Sequence, residues 1–308
     1  MVKTSTIPLR HPVVKILLMG GQGQVGRELH DVLSPLVELV SVGRSELDLR
    51  QPEQIREVIS ATRPEIIINA AAYTAVDKAE SEIDIAYAVN AVAPKTMARE
   101  AQKLGASLIH LSTDYVFDGT QSVPYREQDL THPLGVYGQS KLAGEQGVQQ
   151  GCDRTLILRT AWVYGVHGKG NFVKTMLRLA NERPEVRVVQ DQVGTPTWSR
   201  HIAEAVSHLV QASAGASDDF YGIYHFTNSG VCSWYDFAIA IFEEAYHLAL
   251  ITQKPDVIPI TTAEYPTPAQ RPSYSVLDTS KIRQILEDQP THWRVALQQM
   301  LKQLKIET

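Results

Sequence analysis

The sequence has few cysteines, no long apolar run and no concentration of basic residues. Its two cysteines, Cys152 and Cys232, exclude a disulfide-stabilised scaffold and a cysteine-rich zinc module. The apolar run at 13–19 is interrupted by Lys15 and is far too short to cross a membrane, and no small-residue cleavage site follows it. With 29 basic and 34 acidic residues, the net charge is −5, and no basic patch indicates nucleic-acid binding. These absences predict a cytoplasmic protein with no nucleic-acid or membrane partner.

The composition is typical of a globular chain: of 308 residues, 44% are hydrophobic and 20% are charged. Apolar runs of strand length alternate with segments of helix length. The predicted strands are 13–19, 37–42, 65–69, 107–112 and 155–160, and the predicted helices are 24–33, 52–62, 83–104 and 136–149. Nearly continuous apolar strands are typical of parallel sheets covered on both faces. The pattern predicts an α/β fold with a doubly wound, Rossmann-like parallel sheet.

After about residue 160 the alternation becomes irregular. The predicted elements there are helices at 171–182, 200–211, 234–247 and 293–304, and short strands at 187–190 and 223–226. We therefore expect two domains, in which residues 1–160 bind NAD(P) and residues 161–308 form a smaller, mixed substrate domain. The boundary is expected to be discontinuous, with some C-terminal strands returning to the first sheet.

A glycine-rich loop joins the first predicted strand to the first predicted helix. It reads Gly20-Gly21-Gln22-Gly23-Gln24-Val25-Gly26, so glycines recur every third residue. A tight turn here needs a positive φ, which glycine allows, and the missing Cβ lets the backbone approach a pyrophosphate. The helix N-terminus adds N–H donors and the positive end of its dipole. In the first βαβ unit, this loop predicts dinucleotide binding rather than a structural turn alone.

The end of the second predicted strand bears on the choice of cofactor. NAD sites usually place an Asp or Glu there to bind the ribose 2′-hydroxyl. Here the strand is followed by Gly43 and Arg44, and Arg44 is placed to meet a 2′-phosphate. The sequence therefore predicts NADPH. Glu46 and Asp48 follow closely, so NADH stays open, as does a solvated surface position for Arg44.

Tyr137 and Lys141 stand four residues apart in a predicted helix, so they share a face with Cβ atoms about 5–6 Å apart. A partly desolvated ammonium with a cationic nicotinamide nearby stabilises the tyrosine anion and is predicted to lower a pKa that is ordinarily about 10. Ser112 and Thr113 lie at the end of a predicted strand, where catalytic groups gather, and either hydroxyl could bond a substrate carbonyl. Alone, these residues also fit a half-exposed helix face and a turn. Together with the glycine loop, they predict a hydride-transfer enzyme.

Several segments together resemble the extended short-chain dehydrogenase/reductase superfamily. They are the glycine loop, Asn69-Ala70-Ala71-Ala72-Tyr73, Ser112-Thr113-Asp114-Tyr115-Val116-Phe117 and Pro133-Leu134-Gly135-Val136-Tyr137-Gly138-Gln139-Ser140-Lys141. Further segments are similar to the dTDP-4-dehydrorhamnose reductase family within it. They are Tyr73-Thr74-Ala75-Val76-Asp77-Lys78-Ala79-Glu80, Arg159-Thr160-Ala161-Trp162-Val163-Tyr164, Asp191-Gln192-Val193-Gly194-Thr195-Pro196-Thr197 and Arg271-Pro272.

The resemblance implies an NAD(P)H-dependent reduction of the C4 keto group of dTDP-4-dehydro-6-deoxy-L-mannose to dTDP-L-rhamnose. It implies that Tyr137 donates the proton, that Lys141 bonds the nicotinamide ribose and lowers the pKa of Tyr137, and that Thr113 orients the carbonyl. The implied cofactor contacts are Gly20, Gly23, Gln24, Val25, Gly26, Arg44, Asp48, Leu49, Ala70, Ala71, Ala72 and Tyr73. The implied substrate contacts are Val116, Phe117, Trp162, Asn171 and Arg271. For Trp162, packing in the core is an equal alternative to a platform for the sugar or base.

The resemblance also bears on metal binding. Some members of the family dimerise through Mg²⁺ held by glutamates, and Glu28 matches one such position. The segment Trp198-Ser199-Arg200 has no acid where a second ligand is expected, and Lys302-Gln303 stands where another is expected. The sequence therefore predicts no metal site and leaves a homodimer open.

Two other functions stay open on the sequence alone. An epimerase or dehydratase of the same superfamily uses the same tyrosine and lysine, and Asp114 beside Thr113 keeps a dehydratase-like role open. Such an enzyme recycles its cofactor, whereas a reductase consumes NADPH stoichiometrically. The second alternative is a non-catalytic subunit that binds NADP and a partner enzyme. The presence of both Tyr137 and Lys141 favours an enzyme.

Overall fold

The computed structural model describes residues 14–168, 170–286 and 288–307. Val13, with which the first predicted strand begins, lies outside them, as do the outermost residues of both predicted domains. Within the described residues, the strands are β1 (Lys15–Met19), β2 (Glu38–Val42), β3 (Ile66–Asn69), β4 (Ser107–Thr113), β5 (Thr155–Thr160), β6 (Val163–Tyr164), β7 (Glu185–Val189), β8 (Val193–Gly194), β9 (Thr197–Trp198), β10 (Gly222–His225), β11 (Cys232–Ser233) and β12 (Asp256–Ile260). The α-helices there are α1 (Gln24–Leu33), α2 (Pro52–Thr62), α3 (Val76–Ala79), α4 (Ile83–Tyr87), α5 (Ala93–Leu104), α6 (Val136–Gly151), α7 (Phe172–Glu182), α8 (Ser199–Ala212), α9 (Trp234–His247) and α10 (Trp293–Glu307).

The main sheet of the described residues has six parallel strands in the order β10-β5-β4-β3-β1-β2. The predicted doubly wound parallel sheet is therefore confirmed. The winding reverses between β1 and β3, and ligands of open α/β sheets bind at such a point, beyond the carboxyl ends of the strands. The strand β10 comes from the C-terminal half of the chain and pairs with β5.

Helices cover both faces of this sheet, as the apolar strands require. Along β1, Ile16 and Leu18 join a buried cluster with residues of α1 and α8, whereas Leu17 and Met19 face residues of α2 and α5. A separate buried cluster, built largely from α7, α9 and α10, forms the core of the C-terminal part. Among the described residues, no helix combines the length and apolar character needed to cross a membrane.

The prediction of a single helix at 83–104 is wrong, because a π-helical turn, Ala88–Val92, separates α4 from α5. Pro94 has no N–H to donate to the carbonyl of Asn90, four residues earlier, and this favours the wider turn. The buried Asn90 side chain accepts a hydrogen bond from Tyr73 N at 2.8 Å and donates to Tyr73 O at 3.0 Å. It also donates to Ser140 Oγ at 3.1 Å. The turn therefore links the segment after β3 to α6.

Candidate active site

The glycine loop packs tightly between β1 and α1. Gly20 has a φ of +85°, and a Cβ on it would lie 2.8 Å from Ala71. A Cβ on Gly26 would lie 2.1 Å from the Gly20 carbonyl oxygen, so α1 can approach the loop this closely only with glycine there. In the described structure, no side chain caps the start of α1 at Gly23. Its first N–H groups are therefore available to an anion such as a diphosphate.

The segment from Ala70 to Tyr73 lies beside this loop, as its contact with Gly20 shows. Asn69 at the end of β3 accepts a hydrogen bond from Ala71 N at 3.1 Å. The Tyr73 hydroxyl donates to Glu82 at 2.6 Å, and the neighbouring carboxylate raises the pKa of this tyrosine to about 12. The four residues from 70 to 73 are half-buried. The structure thus brings together two groups of predicted cofactor residues, one from each side of the switch point.

A cleft of about 510 Å³ opens beyond the end of β2. Its lining residues are Arg44, Ser45, Glu46, Leu47, Asp48, Gln54, Glu57 and Val58. Asp48 accepts hydrogen bonds from the guanidinium of Arg50, which holds the pKa of the carboxyl at about 2. Glu46 accepts from Gly43 N at 2.7 Å, whereas Arg44 is exposed. Glu46 and Asp48 are therefore already engaged, which favours Arg44 as the ligand-binding charge of the cleft. Leu49 is half-buried and packs against the apolar core under β1.

The predicted catalytic residues meet where β4 ends beside the start of α6. The buried Lys141 donates from Nζ to the carbonyl oxygen of Leu111 at 2.6 Å. Thr113 closes β4 and its hydroxyl accepts from Tyr115 N at 3.2 Å. The half-buried Tyr137 has its side chain hydrogen-bonded with that of Thr113. The three side chains therefore form one group at the carboxyl edge of the sheet.

Within the protein itself, burial opposes the predicted lowering of the Tyr137 pKa. The pKa of Tyr137 is raised to about 12 by burial and, to a smaller extent, by the charge of Asp114, although the interaction with Thr113 acts in the opposite direction. Burial lowers the pKa of Lys141 to about 8, against the charge of Glu145. The prediction relied on a partly desolvated ammonium together with a cationic nicotinamide nearby, whereas burial has the largest effect among the protein's own groups. At neutral pH the tyrosine is thus a protonated hydroxyl and the lysine is largely an ammonium.

Three further polar residues support this group. Asp114 is buried beside Thr113, and burial raises its pKa to about 6. Glu80 accepts from Val136 N at 2.9 Å and so caps α6 from a distant segment. Asn90 ties α6 to the cofactor side, as described above. The sequence does signal Asn90, because it is a polar residue in an apolar helical stretch shortly before Pro94.

The first two predicted substrate residues, Val116 and Phe117, have fully buried side chains. Phe117 stacks on Tyr125 with ring centroids 4.2 Å apart, and the Arg159 guanidinium lies 5.2 Å from its centroid. Neither side chain is thus open to a substrate in this conformation. A substrate could contact these two residues only through their backbone atoms.

Trp162 is half-buried and adopts a φ of +47°, which is unusual for a residue with a side chain. Its ring stacks on Trp234 with centroids 3.6 Å apart and planes 5° from parallel. A Cβ on Gly194 would lie 2.6 Å from this ring. The ring therefore packs on the C-terminal core and keeps part of its surface accessible, which leaves a platform role as a prediction.

Asn171 and Arg271 are both occupied by protein partners. Asn171 caps α7, and its amide donates to Gln24 Oε1 at 2.6 Å, so it contacts the glycine loop. Arg271 forms a two-pronged ion pair with Asp77 of α3 through contacts of 3.0 and 2.8 Å. The prediction that Arg271 binds substrate therefore requires it to exchange the Asp77 carboxylate for an anionic ligand.

Glu28 is the residue that matches a Mg²⁺-binding glutamate of some members of the family. It is 1% exposed, accepts from Ser199 Oγ at 3.4 Å and lies 3.9 Å from Arg200 Nη1. Its ligand atoms lie within 4.8 Å of those of Asp31 and His167. Mg²⁺ prefers an octahedron of oxygens, whereas this group offers an imidazole and faces a guanidinium. These residues do not fit Mg²⁺.

The arrangement defines a class of protein. A glycine loop at the switch point of a doubly wound parallel sheet lies beside a Tyr–Lys pair on the helix after β4, with a threonine at the end of that strand. These features are those of an NAD(P)-dependent oxidoreductase of the short-chain dehydrogenase/reductase type.

Comparisons with known proteins narrow this class. Residues 14–306 match the family model described as the RmlD substrate binding domain. The chain is 44% identical over 298 residues to the dTDP-4-dehydrorhamnose reductase of Escherichia coli strain K12, covering 94% of this chain and 98% of that one. A crystal structure of dTDP-4-dehydrorhamnose reductase from Bacillus anthracis strain Ames in complex with NADP is 37% identical, with a TM-score of 0.86 over 96% of this chain and 100% of that one. The corresponding structure from Clostridium acetobutylicum is 38% identical with a TM-score of 0.87, over 94% of this chain and 99% of that one.

The chain therefore belongs to the RmlD substrate binding domain family, and its relatives include dTDP-4-dehydrorhamnose reductases.

Proposed function

We propose that the protein reduces the C4 keto group of dTDP-4-dehydro-6-deoxy-L-mannose with NADPH and forms dTDP-L-rhamnose. The observation that carries this proposal is the meeting of Tyr137, Lys141 and Thr113 at the carboxyl edge of the sheet in a chain of this family. The relatives' names supply the substrate, and the NADP in the Bacillus anthracis structure supports the cofactor.

The residues present fit a dinucleotide. Bound NADPH would supply the hydride for C4. In this proposal, the residues that hold its diphosphate are Gly20, Gly23, Gln24, Val25 and Gly26. Those proposed along the rest of the cofactor are Arg44, Asp48, Leu49, Ala70, Ala71, Ala72 and Tyr73. A backbone cradle that a Cβ would fill at Gly20 and Gly26 supports the first group. In the second group, the open cleft supports Arg44 and Asp48, and the close approach of Ala71 to Gly20 supports the segment 70–73.

The proton comes from Tyr137. Because its pKa is about 12, the hydroxyl is protonated at neutral pH and can donate to the C4 oxygen as negative charge develops there. The Thr113 hydroxyl holds the same oxygen. The Lys141 ammonium stabilises the tyrosinate that remains, which requires a pH below its own pKa of about 8. A positioned acid of this kind typically contributes about 10²–10⁴ in rate.

Substrate contacts come from the C-terminal part. We assign the exposed surface of Trp162 to contact with the sugar or base of the substrate. We assign the guanidinium of Arg271 to the substrate diphosphate, which would take the place of the Asp77 carboxylate. The net charge of −5 makes such local cations necessary, since both ligands are anionic. Asn171 acts through Gln24, and the backbone of Val116 and Phe117 lines the site.

The substrate assignment is tested by comparing dTDP-, UDP- and GDP-linked 4-keto-6-deoxy sugars. We expect kcat/KM for NADPH oxidation to be at least about tenfold higher with the dTDP sugar, and the product to be dTDP-L-rhamnose by NMR. Equal kcat/KM values would show that the base is not recognised. A lack of product with all three would favour the non-catalytic subunit.

Arg44→Ala is expected to weaken NADPH binding about 10–100-fold and NADH binding less than about twofold, because a charge-assisted contact to the 2′-phosphate is lost. Kd values from NADPH and NADH fluorescence measure this. Arg178→Ala, which removes an exposed arginine paired with Glu182, is the matched control. Equal losses for both cofactors would remove Arg44 from the 2′-phosphate site.

EDTA is expected to leave turnover and elution volume unchanged, because the Arg200 guanidinium faces Glu28 and the group around it does not fit Mg²⁺. Gel filtration with light scattering, with and without EDTA, measures the oligomeric state alongside activity. We place the protein in the cytoplasm and expect any homodimer to form without metal. A metal-dependent change in mass would contradict this assignment.

A further inference from the structure

The catalytic helix α6 is attached to the end of β4 by side chains spaced four residues apart, each reaching one of three consecutive strand residues. The contacts are Tyr137 with Thr113, Lys141 Nζ with Leu111 O at 2.6 Å, and Glu145 Oε1 with Ser112 Oγ at 2.5 Å. The first two belong to the proposed reaction. The proposed reaction assigns no role to Glu145, although this residue occupies the next turn of the same buried face of α6.

Glu145 also belongs to a buried ion pair. Arg159 on β5 donates from Nε to its Oε1 at 2.9 Å and from Nη2 to its Oε2 at 2.7 Å. The two side chains are 1% and 2% exposed. A buried ion pair is often no more stabilising than apolar residues of similar volume. Stability alone therefore does not explain why a carboxylate stands here.

The charges around Lys141 suggest what the carboxylate does. Among the described residues, the charge of Lys141 interacts with Glu145 on α6 and His110 on β4, and Arg159 pairs with Glu145. Tyr137 lies one turn before Lys141 on α6. Burial and the charge of Lys141 hold the pKa of His110 well below its usual value, so the imidazole is neutral. The Tyr137 hydroxyl is protonated at neutral pH, as shown above. Glu145 is the carboxyl group that pairs with Arg159, and its charge acts to raise the pKa of Lys141.

We propose that Glu145 is a positioning residue of the reduction, whose carboxylate fixes α6 against β4 and supplies the negative charge that keeps Lys141 an ammonium. This inference rests on the proposed function for its kinetic readout. When Tyr137 gives up its proton, the tyrosinate needs the Lys141 charge beside it. Without Glu145, Lys141 loses its proton at a lower pH, and turnover falls on the alkaline side.

The test uses variants of the full chain. Glu145→Gln/Arg159→Met removes both charges, leaves no unpaired charge buried, and keeps an oxygen that can accept from Ser112. Ser112→Ala removes the hydroxyl and keeps the charge. Ser199→Ala is the matched control, because that buried hydroxyl donates at 3.4 Å to another buried glutamate, Glu28.

For the double variant, we expect the alkaline limb of kcat against pH to move about one unit lower, with KM values changed less than about twofold. Ser112→Ala should lower kcat about threefold and leave the limb in place. The Ser199→Ala control should match the wild type. A double variant with reduced thermal stability but the wild-type limb would have lost only a structural pair, and that result overturns the proposal.

A second readout does not depend on the substrate. The ¹⁵N NMR signal of the Lys141 side chain, assigned with Lys141→Met, is followed against pH in the wild type and the double variant. We expect the titration to move to lower pH in the double variant. If the wild type fails to oxidise NADPH with the sugar, the proposed function fails, but this titration still decides the role of Glu145. Superimposable titration curves overturn the inference.

Discussion

Tyr137→Phe is expected to lower kcat about 10³-fold while the Kd for NADPH changes less than about twofold. The hydroxyl is the proton donor of the proposed reaction, and its pKa of about 12 keeps it protonated at neutral pH. Phenylalanine keeps the ring and its edge contact with Tyr115, whose centroid lies 5.4 Å away. Only the proton and its hydrogen bond with Thr113 are lost. Steady-state NADPH oxidation measures kcat, and fluorescence titration measures the Kd.

Tyr224→Phe is the matched control for this variant. Tyr224 lies on β10, away from the catalytic group, and its hydroxyl donates to Phe220 O at 2.7 Å. We expect its kcat to stay within about twofold of the wild type, since the loss of one hydrogen bond affects stability rather than chemistry. A Tyr137→Phe enzyme with the wild-type kcat would show that another group donates the proton.

The second large effect is expected from Gly26→Ala, which should weaken NADPH binding about 10–100-fold. The new Cβ would lie 2.1 Å from the Gly20 carbonyl oxygen and 2.8 Å from Gly21 Cα, which are backbone atoms that no side-chain rotation can move. The helix α1 must then move away from the loop, and its first N–H groups no longer point toward the position of the diphosphate. The Kd for NADPH measures the effect.

Gly170→Ala is the control for this substitution, because Gly170 is exposed and a Cβ there meets nothing within 4 Å. Its Kd for NADPH should equal that of the wild type. If Gly26→Ala also retained wild-type affinity, the glycine loop would not be the diphosphate site, and dinucleotide binding would have to be sought elsewhere.

The features that sequence predicted well are local. The strands of the sheet follow from short apolar runs, and the glycine loop follows from spacing that a turn and a close approach impose. The shared face of Tyr137 and Lys141 follows from helical periodicity. Each of these features depends on residues close together in the sequence, so it can be recognised before the tertiary structure is known.

The features that sequence missed depend on tertiary contacts. Arg271 pairs with Asp77, 194 positions away, and nothing in either segment predicts that partner. The pKa of Tyr137 is governed by burial, which no neighbouring residue reveals. The interruption of the helix at 83–104 reflects Pro94 together with contacts that Asn90 makes on two other segments. Such properties appear only when distant segments are brought together.

The stoichiometry of NADPH oxidation with dTDP-4-dehydro-6-deoxy-L-mannose tests the central claim most directly. The proposed reduction predicts one NADPH oxidised for each dTDP-L-rhamnose formed, with kcat about 10³-fold lower in Tyr137→Phe. Conversion of the sugar nucleotide without net loss of NADPH would contradict it, because an epimerase or dehydratase returns its cofactor to the starting state.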